Sequence, residues 1–291
     1  MKRDLDSSLA PQAPASAISE HDRAANLPKQ ATVHRQNIIR MIDEVGRRHD
    51  RRMVFRDFVT MSAVALSKLD LRQAEAREEL YMQTVRKYSR EEAATIAHMF
   101  AELQEGLDVS PRDILLEIFM QLELGNSRMG QFFTPHHICQ LMSEIALMAA
   151  VVTPDDATEK VAKHGFVTVH EPASGSGATI IALMLAMQER GLNYQRHVHV
   201  TAVDLDSTAA MMTYVQLSLM HVPAVIVHGN TLSLEEYSHW YTPAHIMDGW
   251  NARLSRARAE TEAAAMLAGA STSADDAAGD ADAEPEAPRA A

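Results

Sequence analysis

Apolar residues recur at helical spacing through the first 124 positions of the chain. Ile38, Ile39, Ile42 and Val45 fall on one helical face. After a polar break, Val54, Phe55, Phe58, Val59, Ala63 and Leu66 repeat the pattern, and residues 74–88 make a third segment. Ser89 stands three residues before Glu92, a capping-box spacing that predicts a helix through Leu103. Ser110 and Pro111 predict a further helix over 113–124, with Ser110 as N-cap and the proline in the first turn. At 125–135, two glycines, Asn126 and a closing proline mark a loop. Thr134 suits the N-cap of the next helix, predicted over 136–151.

The pattern changes after Pro154. Residues 166–170 read as a short strand, 171–177 as a Gly/Ser loop, and 178–190 as a helix closed by Gly191. Residues 197–203 alternate as a strand, 207–221 are helical, and 224–227 form a third strand. That β-α-β-α-β order implies a parallel sheet with right-handed crossovers. Beyond His228 the strand pattern stops, and 232–254 read as turns and helix. The expected fold is therefore α/β, with a helical N-terminal domain over 31–125. A partial Rossmann-like parallel sheet of about three strands occupies 126–258. Residues 1–30 and 259–291 are rich in Ala, Pro, Ser or charge, lack periodicity, and are expected to be disordered.

Charge and cysteine content narrow the picture. The net charge is −12, but eight acids and one base lie from Glu260 onward, so the remainder is only mildly acidic. Net charge thus argues neither for nor against a nucleic-acid partner. A single cysteine, Cys139, excludes an internal disulfide framework and a Cys-rich zinc module, and favours a reducing, cytoplasmic setting. The longest apolar runs, 145–152 and 178–187, are about half a membrane span, and the N-terminus lacks the apolar stretch of a signal peptide. No membrane association is expected.

The most informative run is Glu171-Pro-Ala-Ser-Gly-Ser-Gly177, set between a strand and a helix. Glycines there let a backbone approach a ligand closely. A P-loop would need Gly-Lys-Ser/Thr, but Gly177 is followed by Ala178 and Thr179. A dinucleotide fingerprint would need a third small residue where Ile180 stands. The acid at the head of the loop suits a ligand with a positive centre better than a pyrophosphate. S-adenosylmethionine, with its ammonium and sulfonium, fits that charge. Asp204, at the end of the second strand, can accept from ribose hydroxyls, with Asp206 as the alternative. Asn230, after the third strand, can offer its carbonyl to an adenine amine. Three such groups at one edge of a βαβαβ unit describe a nucleoside pocket.

These residues, preceded by Gly130-Gln-Phe-Phe-Thr-Pro135, resemble the modification subunit of type I restriction–modification systems. That family comprises S-adenosylmethionine-dependent N6-adenine DNA methyltransferases. The resemblance spans roughly residues 35–234, and its motifs lie within 125–232. It implies that Phe133, Thr134 and Pro135 pack beside the methionine end of the cofactor. Glu171, Ser174, Gly175 and Gly177 match the family's Asp-Pro-Ala-Cys-Gly-Ser-Gly loop. Asp204 matches the ribose acid, and Asn230 stands where the family usually has Asp. DNA is the implied partner.

The sequence departs from the family at the catalytic motif. Asn/Asp-Pro-Pro-Tyr/Phe should follow a fourth strand, yet no Pro-Pro dipeptide occurs anywhere in the chain. Tyr241, before Thr242-Pro243, is the weak candidate for an aromatic platform under the target base. Little methylation is expected from the isolated chain, and a second subunit is a candidate for completing the site. The competing expectation is a catalytically silent cofactor-binding or DNA-binding regulatory protein. A third is an interaction module that has lost ligand binding as well.

Other features carry less. Arg47, Arg48, His49, Arg51 and Arg52 can meet phosphate, but read better as a solvated face. His197 and His199 share a strand face without a Cys or carboxylate partner, so no metal site is expected. Trp240 and Trp250 can stack on a base, although such residues more often cover a sheet flank.

Overall fold

The computed structural model describes residues 20–122, 138, 161 and 165–279. Phe133, Thr134, Pro135, the loop at 125–135 and the helix predicted over 136–151 lie outside the described residues, apart from position 138.

Five helices lead the chain: α1 (Glu20–Val45), α2 (Arg51–Leu66), α3 (Ala74–Val85), α4 (Arg90–Val109) and α5 (Ile114–Gln121). Local chemistry sets several of their starts. The Asp50 carboxylate accepts from Met53 N at 2.9 Å and caps α2. Ser89 and Glu92 complete both halves of the capping box on α4, as their spacing predicts. The start of α5 differs from expectation. Ser110 closes α4, and Asp113 caps α5 by accepting from Leu116 N at 2.9 Å. The reason is tertiary: the buried Asp113 carboxylate has further partners from elsewhere in the chain, described below.

The α/β part follows as β1 (Val167–Glu171), α6 (Ala178–Glu189), α7 (Tyr194–His197), β2 (Val198–Asp204), α8 (Ser207–Leu219), β3 (Ala224–Asn230), β4 (Glu235–Tyr241), α9 (Pro243–Met247) and α10 (Trp250–Gly279). The sheet order is β1-β2-β3-β4, with the first three strands parallel. The fourth strand corrects the expectation of three. It folds back antiparallel on β3, pairing Ile226 with Trp240 and Asn230 with Glu235. Glu235–Tyr237 are exposed, Ser238, His239 and Tyr241 are half-buried and Trp240 is buried, so no alternation announces it. The register shifts between His228 and Gly229, and a Cβ at Gly229 would stand 2.5 Å from the Glu235 carbonyl oxygen. Glycine there admits the returning backbone.

Helix α8 is buried between the sheet and α2. One cluster of buried apolar side chains runs from Ile38 through Phe58, Leu103 and Ile118 to Val200, Tyr214 and Trp240. The helical part and the sheet therefore share a core. Arg77 of α3 adds a polar tie: its guanidinium donates to the His239 carbonyl at 2.8 Å, meets Asp70 at 3.2 Å and lies 4.3 Å over the Trp240 ring. Helices α1 and α10 run into the two terminal segments expected to be disordered, starting at Glu20 and reaching Gly279. Among the described residues no helix is long and apolar enough to cross a membrane.

Candidate cofactor site at the carboxyl edge of the sheet

The parallel strands bring Glu171, Asp204 and Asn230 to one edge, since each closes its strand. The loop after β1 is bound to this edge by its own backbone. Gly175 N donates to Asp204 Oδ2 at 2.7 Å, and Ser174 N donates to the Val203 carbonyl at 2.9 Å. Gly175 and Gly177 both hold left-handed φ angles, +57° and +94°. A Cβ at Gly177 would also press on Thr213 Oγ1 at 3.3 Å. Only glycine meets both demands without strain, so this loop is built as a tight cradle before α6.

Each acid has a distinct local duty. Glu171 accepts from Thr179 Oγ1 at 2.8 Å and from Ala173 N at 3.2 Å. Asp204 accepts from Gly175 N on one oxygen and from Asp206 N, at 2.8 Å, on the other. Each of these carboxylate oxygens retains capacity for a second bond. Burial pushes the Asp204 carboxyl above the ordinary range, against the two backbone donors that favour its charge. Asp206, the alternative ribose acid, caps α8: its Oδ1 accepts from Thr208 N and Ala209 N at 2.8 and 2.9 Å.

Asn230 turns the chain into the β3–β4 hairpin. Its Oδ1 accepts from Leu232 N at 3.0 Å and Ser233 N at 3.3 Å, leaving its amide nitrogen without a partner among the described residues. Thr231 Oγ1 donates to the Pro172 carbonyl at 2.6 Å, joining this hairpin to the loop. Ser174 turns inward instead, buried and within 3.3 Å of Thr213 Oγ1. Its backbone is engaged as well, the amide with the Val203 carbonyl and the carbonyl with Gly177 N at 2.8 Å, so Ser174 shapes the loop.

Tyr241 is not brought to this edge. Strand β4 runs antiparallel, so Tyr241 pairs with Val225 near the start of β3 and lies at the opposite end of the sheet from Asp204 and Asn230. Its ring stacks on His239 and touches His245. Trp240 and Trp250 are buried, the latter under Arg253 and against Phe166. His197 ends the short α7, whereas His199 is buried and hydrogen-bonded to His245 at 2.9 Å. Within the basic cluster, Arg48 and His49 meet Glu92 and Arg51 meets Asp43.

Sequence reasoning missed several members of the site. Thr213 donates to the Gly175 carbonyl at 2.9 Å, and Gln216 donates to the Ser176 carbonyl at 2.9 Å. Both are polar, fully buried positions of α8, three residues apart, and that spacing was the available signal. Leu205, between the two acids, is 60% exposed and presents an apolar face beside Asp204. A cavity of about 530 Å³ lined by Thr168, His170, His199, Thr201 and Arg258 lies across the sheet.

Residues 113–249, just under half of the chain, match the family model described as N-6 DNA Methylase. The match supports a DNA N6-methyltransferase-like function for that segment, and it spans the loop, all four strands and Asp113. Neither a curated protein nor a solved structure matches the chain.

Proposed function

We propose that the chain binds S-adenosylmethionine at the carboxyl edge of β1, β2 and β3. In this reading it is a DNA adenine-N6 methyltransferase-like protein of the type I modification-subunit kind. The observation that carries the reading is the union of the glycine cradle with Asp204 through the Gly175 amide. The donor set suits this cofactor. Glu171 and Asp204 give an anionic rim for an ammonium and for ribose hydroxyls. The Asn230 amide and the apolar face of Leu205 suit a nucleobase. Phe133, Thr134 and Pro135 are proposed to close the methionine end. The bound cofactor supplies the methyl donor; the chain's residues bind and orient it.

The base-gripping half of a methyltransferase is not among these residues. Adenine must leave the stack and have its amine held beside the donor. The sequence holds no Pro-Pro motif for that grip, and Tyr241 lies at the wrong end of the sheet. Among the described residues, strand β1 pairs with β2 alone. The reading is therefore a cofactor-loaded half-site, completed by another polypeptide segment and acting on DNA in a cytoplasmic setting. The absent motif also favours a second reading, a catalytically silent cofactor-binding or DNA-binding regulator.

Calorimetry with S-adenosylmethionine, followed by methyl transfer to adenine-containing DNA, tests both. The expected result is cofactor binding, negligible transfer by the chain alone, and transfer once a subunit carrying the acceptor motif is added. Binding without transfer under every combination selects the silent regulator. No binding by the folded chain overturns the cofactor reading.

A further inference from the structure

The glycine loop is held from the sheet by Asp204 and Val203, and from α8 by Thr213 and Gln216. A third hold comes from the helical part of the chain. The Asp113 carboxylate, at the start of α5, is hydrogen-bonded through Oδ2 to the Ser176 hydroxyl. Its Oδ1 accepts from Gln216 Nε2 at 2.9 Å and from Leu116 N at 2.9 Å. Gln216 in turn takes the Leu115 amide on its oxygen at 3.1 Å. Asp113, Ser176 and Gln216 are 6%, 1% and 0% exposed. Three elements distant in sequence thus converge on one satisfied buried network.

We propose that Asp113 is a positioning residue for the cofactor loop, clamping Ser176 and Gln216 so that the backbone of residues 174–177 is set before ligand arrives. This rests on the cofactor reading above and adds to it the part played by α5. A capping aspartate needs only one or two backbone amides at the helix end. Asp113 satisfies one such amide and directs its other oxygen across the core to the loop. A carboxylate is a costly group to bury for stability alone, and burial pushes this one above the ordinary carboxyl range. What the arrangement delivers is geometry. Ser176 cannot rotate, the Ser176 carbonyl is taken by Gln216, and the left-handed turns at Gly175 and Gly177 on either side are locked. Any displacement of α5 relative to the sheet would reach the loop through this joint.

The test uses the full chain and the variants Ser176→Ala, Asp113→Ala and Asp113→Asn. It reads backbone hydrogen exchange without ligand, and S-adenosylmethionine affinity by calorimetry. Exchange at residues 175–177 should rise by about tenfold or more in Ser176→Ala and Asp113→Ala, while amides of β2 and β3 keep their protection. Affinity should fall by about tenfold or more in both. Asp113→Asn should recover to within about threefold, because its oxygen still accepts from Gln216 and Leu116 and its amide can donate to Ser176. Unchanged loop exchange in folded Ser176→Ala overturns the proposal, as does a uniform rise across the sheet. Should Asp113→Ala fail to fold, Ser176→Ala still decides. If the wild-type chain binds no S-adenosylmethionine, the cofactor reading falls, and the exchange measurement judges the clamp independently.

Discussion

Asp204 and Gly175, 29 residues apart, are joined by a 2.7 Å hydrogen bond from the glycine amide to the carboxylate. The acid that closes β2 is therefore also a structural member of the loop that follows β1. Removing it acts twice, on the loop and on any ribose. Asp204→Ala is expected to weaken S-adenosylmethionine binding by about 1–3 kcal/mol, the scale for losing a charged acceptor. Asp206→Ala should instead lower folding stability by about 1 kcal/mol through loss of the α8 cap, with a smaller effect on affinity. Calorimetric titration paired with urea denaturation separates the two. The reverse pattern would transfer the ligand role to Asp206.

Gly177→Ala should cost about 1–2 kcal/mol of stability, because the residue holds a φ of +94° and the new methyl meets Thr213. A double variant with Thr213→Ser removes the Cγ2 contact at 3.4 Å but keeps Oγ1 at 3.3 Å and the backbone strain, so only a small part of the loss should return. Chemical denaturation of both variants measures the split.

Gly229→Ala should be the more damaging glycine replacement. The added Cβ would stand 2.5 Å from a backbone oxygen of β4, which has no freedom to swing away. Loss of the β3–β4 pairing is expected, seen as lost exchange protection at residues 235–241 while β1 and β2 remain protected. Full protection of β4 in this variant would show that the bulge absorbs a side chain.

Arg77→Met should be less destabilising than Arg77→Ala. The guanidinium is buried with Asp70 and lies over Trp240, so alanine leaves both a cavity and an unpaired carboxylate. A loss of about 3–5 kcal/mol is expected for Arg77→Ala, the scale for breaking a buried pair. Methionine fills the volume, and Arg77→Met with Asp70→Asn should recover most of it. A double-mutant cycle in urea gives these values.

Buried His199 has its pKa lowered to about 4, first by burial and then by repulsion from His245 and Arg253. The unfolded chain holds that proton up to about pH 6.5. Stability contributed by neutral His199 is thus fully present above about pH 6.5 and is lost as pH falls toward 4. Burial lowers His245 in the same direction. Asp113 has the opposite sign: its raised carboxyl pKa favours the folded state in acid, and that contribution is lost as pH rises through it. Denaturation across pH 4–7 should show His199→Gln reducing the acid sensitivity, whereas Asp113→Asn should gain on wild type as pH rises.

What the sequence determined by itself was governed by neighbours along the chain. Periodicity placed α2, α3, α4, α6 and α8, and Ser89 with Glu92 capped α4 because a capping box closes within four residues. The β-α-β-α-β order and the glycine loop were legible for the same reason, since crossovers and left-handed turns have local signatures. Tertiary structure decided the rest. Strand β4 exists because β3 had an open edge and Gly229 let a backbone approach, neither of which appears in the polar run Glu235–Tyr241. Its antiparallel direction carried Tyr241 away from the cofactor edge. Asp113 displaced Ser110 as the α5 cap because its second oxygen found Ser176, 63 positions later in the chain. Asp204 became the loop anchor because the fold set the Gly175 amide beside it, whereas Asp206 caps α8 through amides two and three positions along the chain. A hydrogen bond between distant residues has no period in sequence; it exists only once packing has fixed the distance.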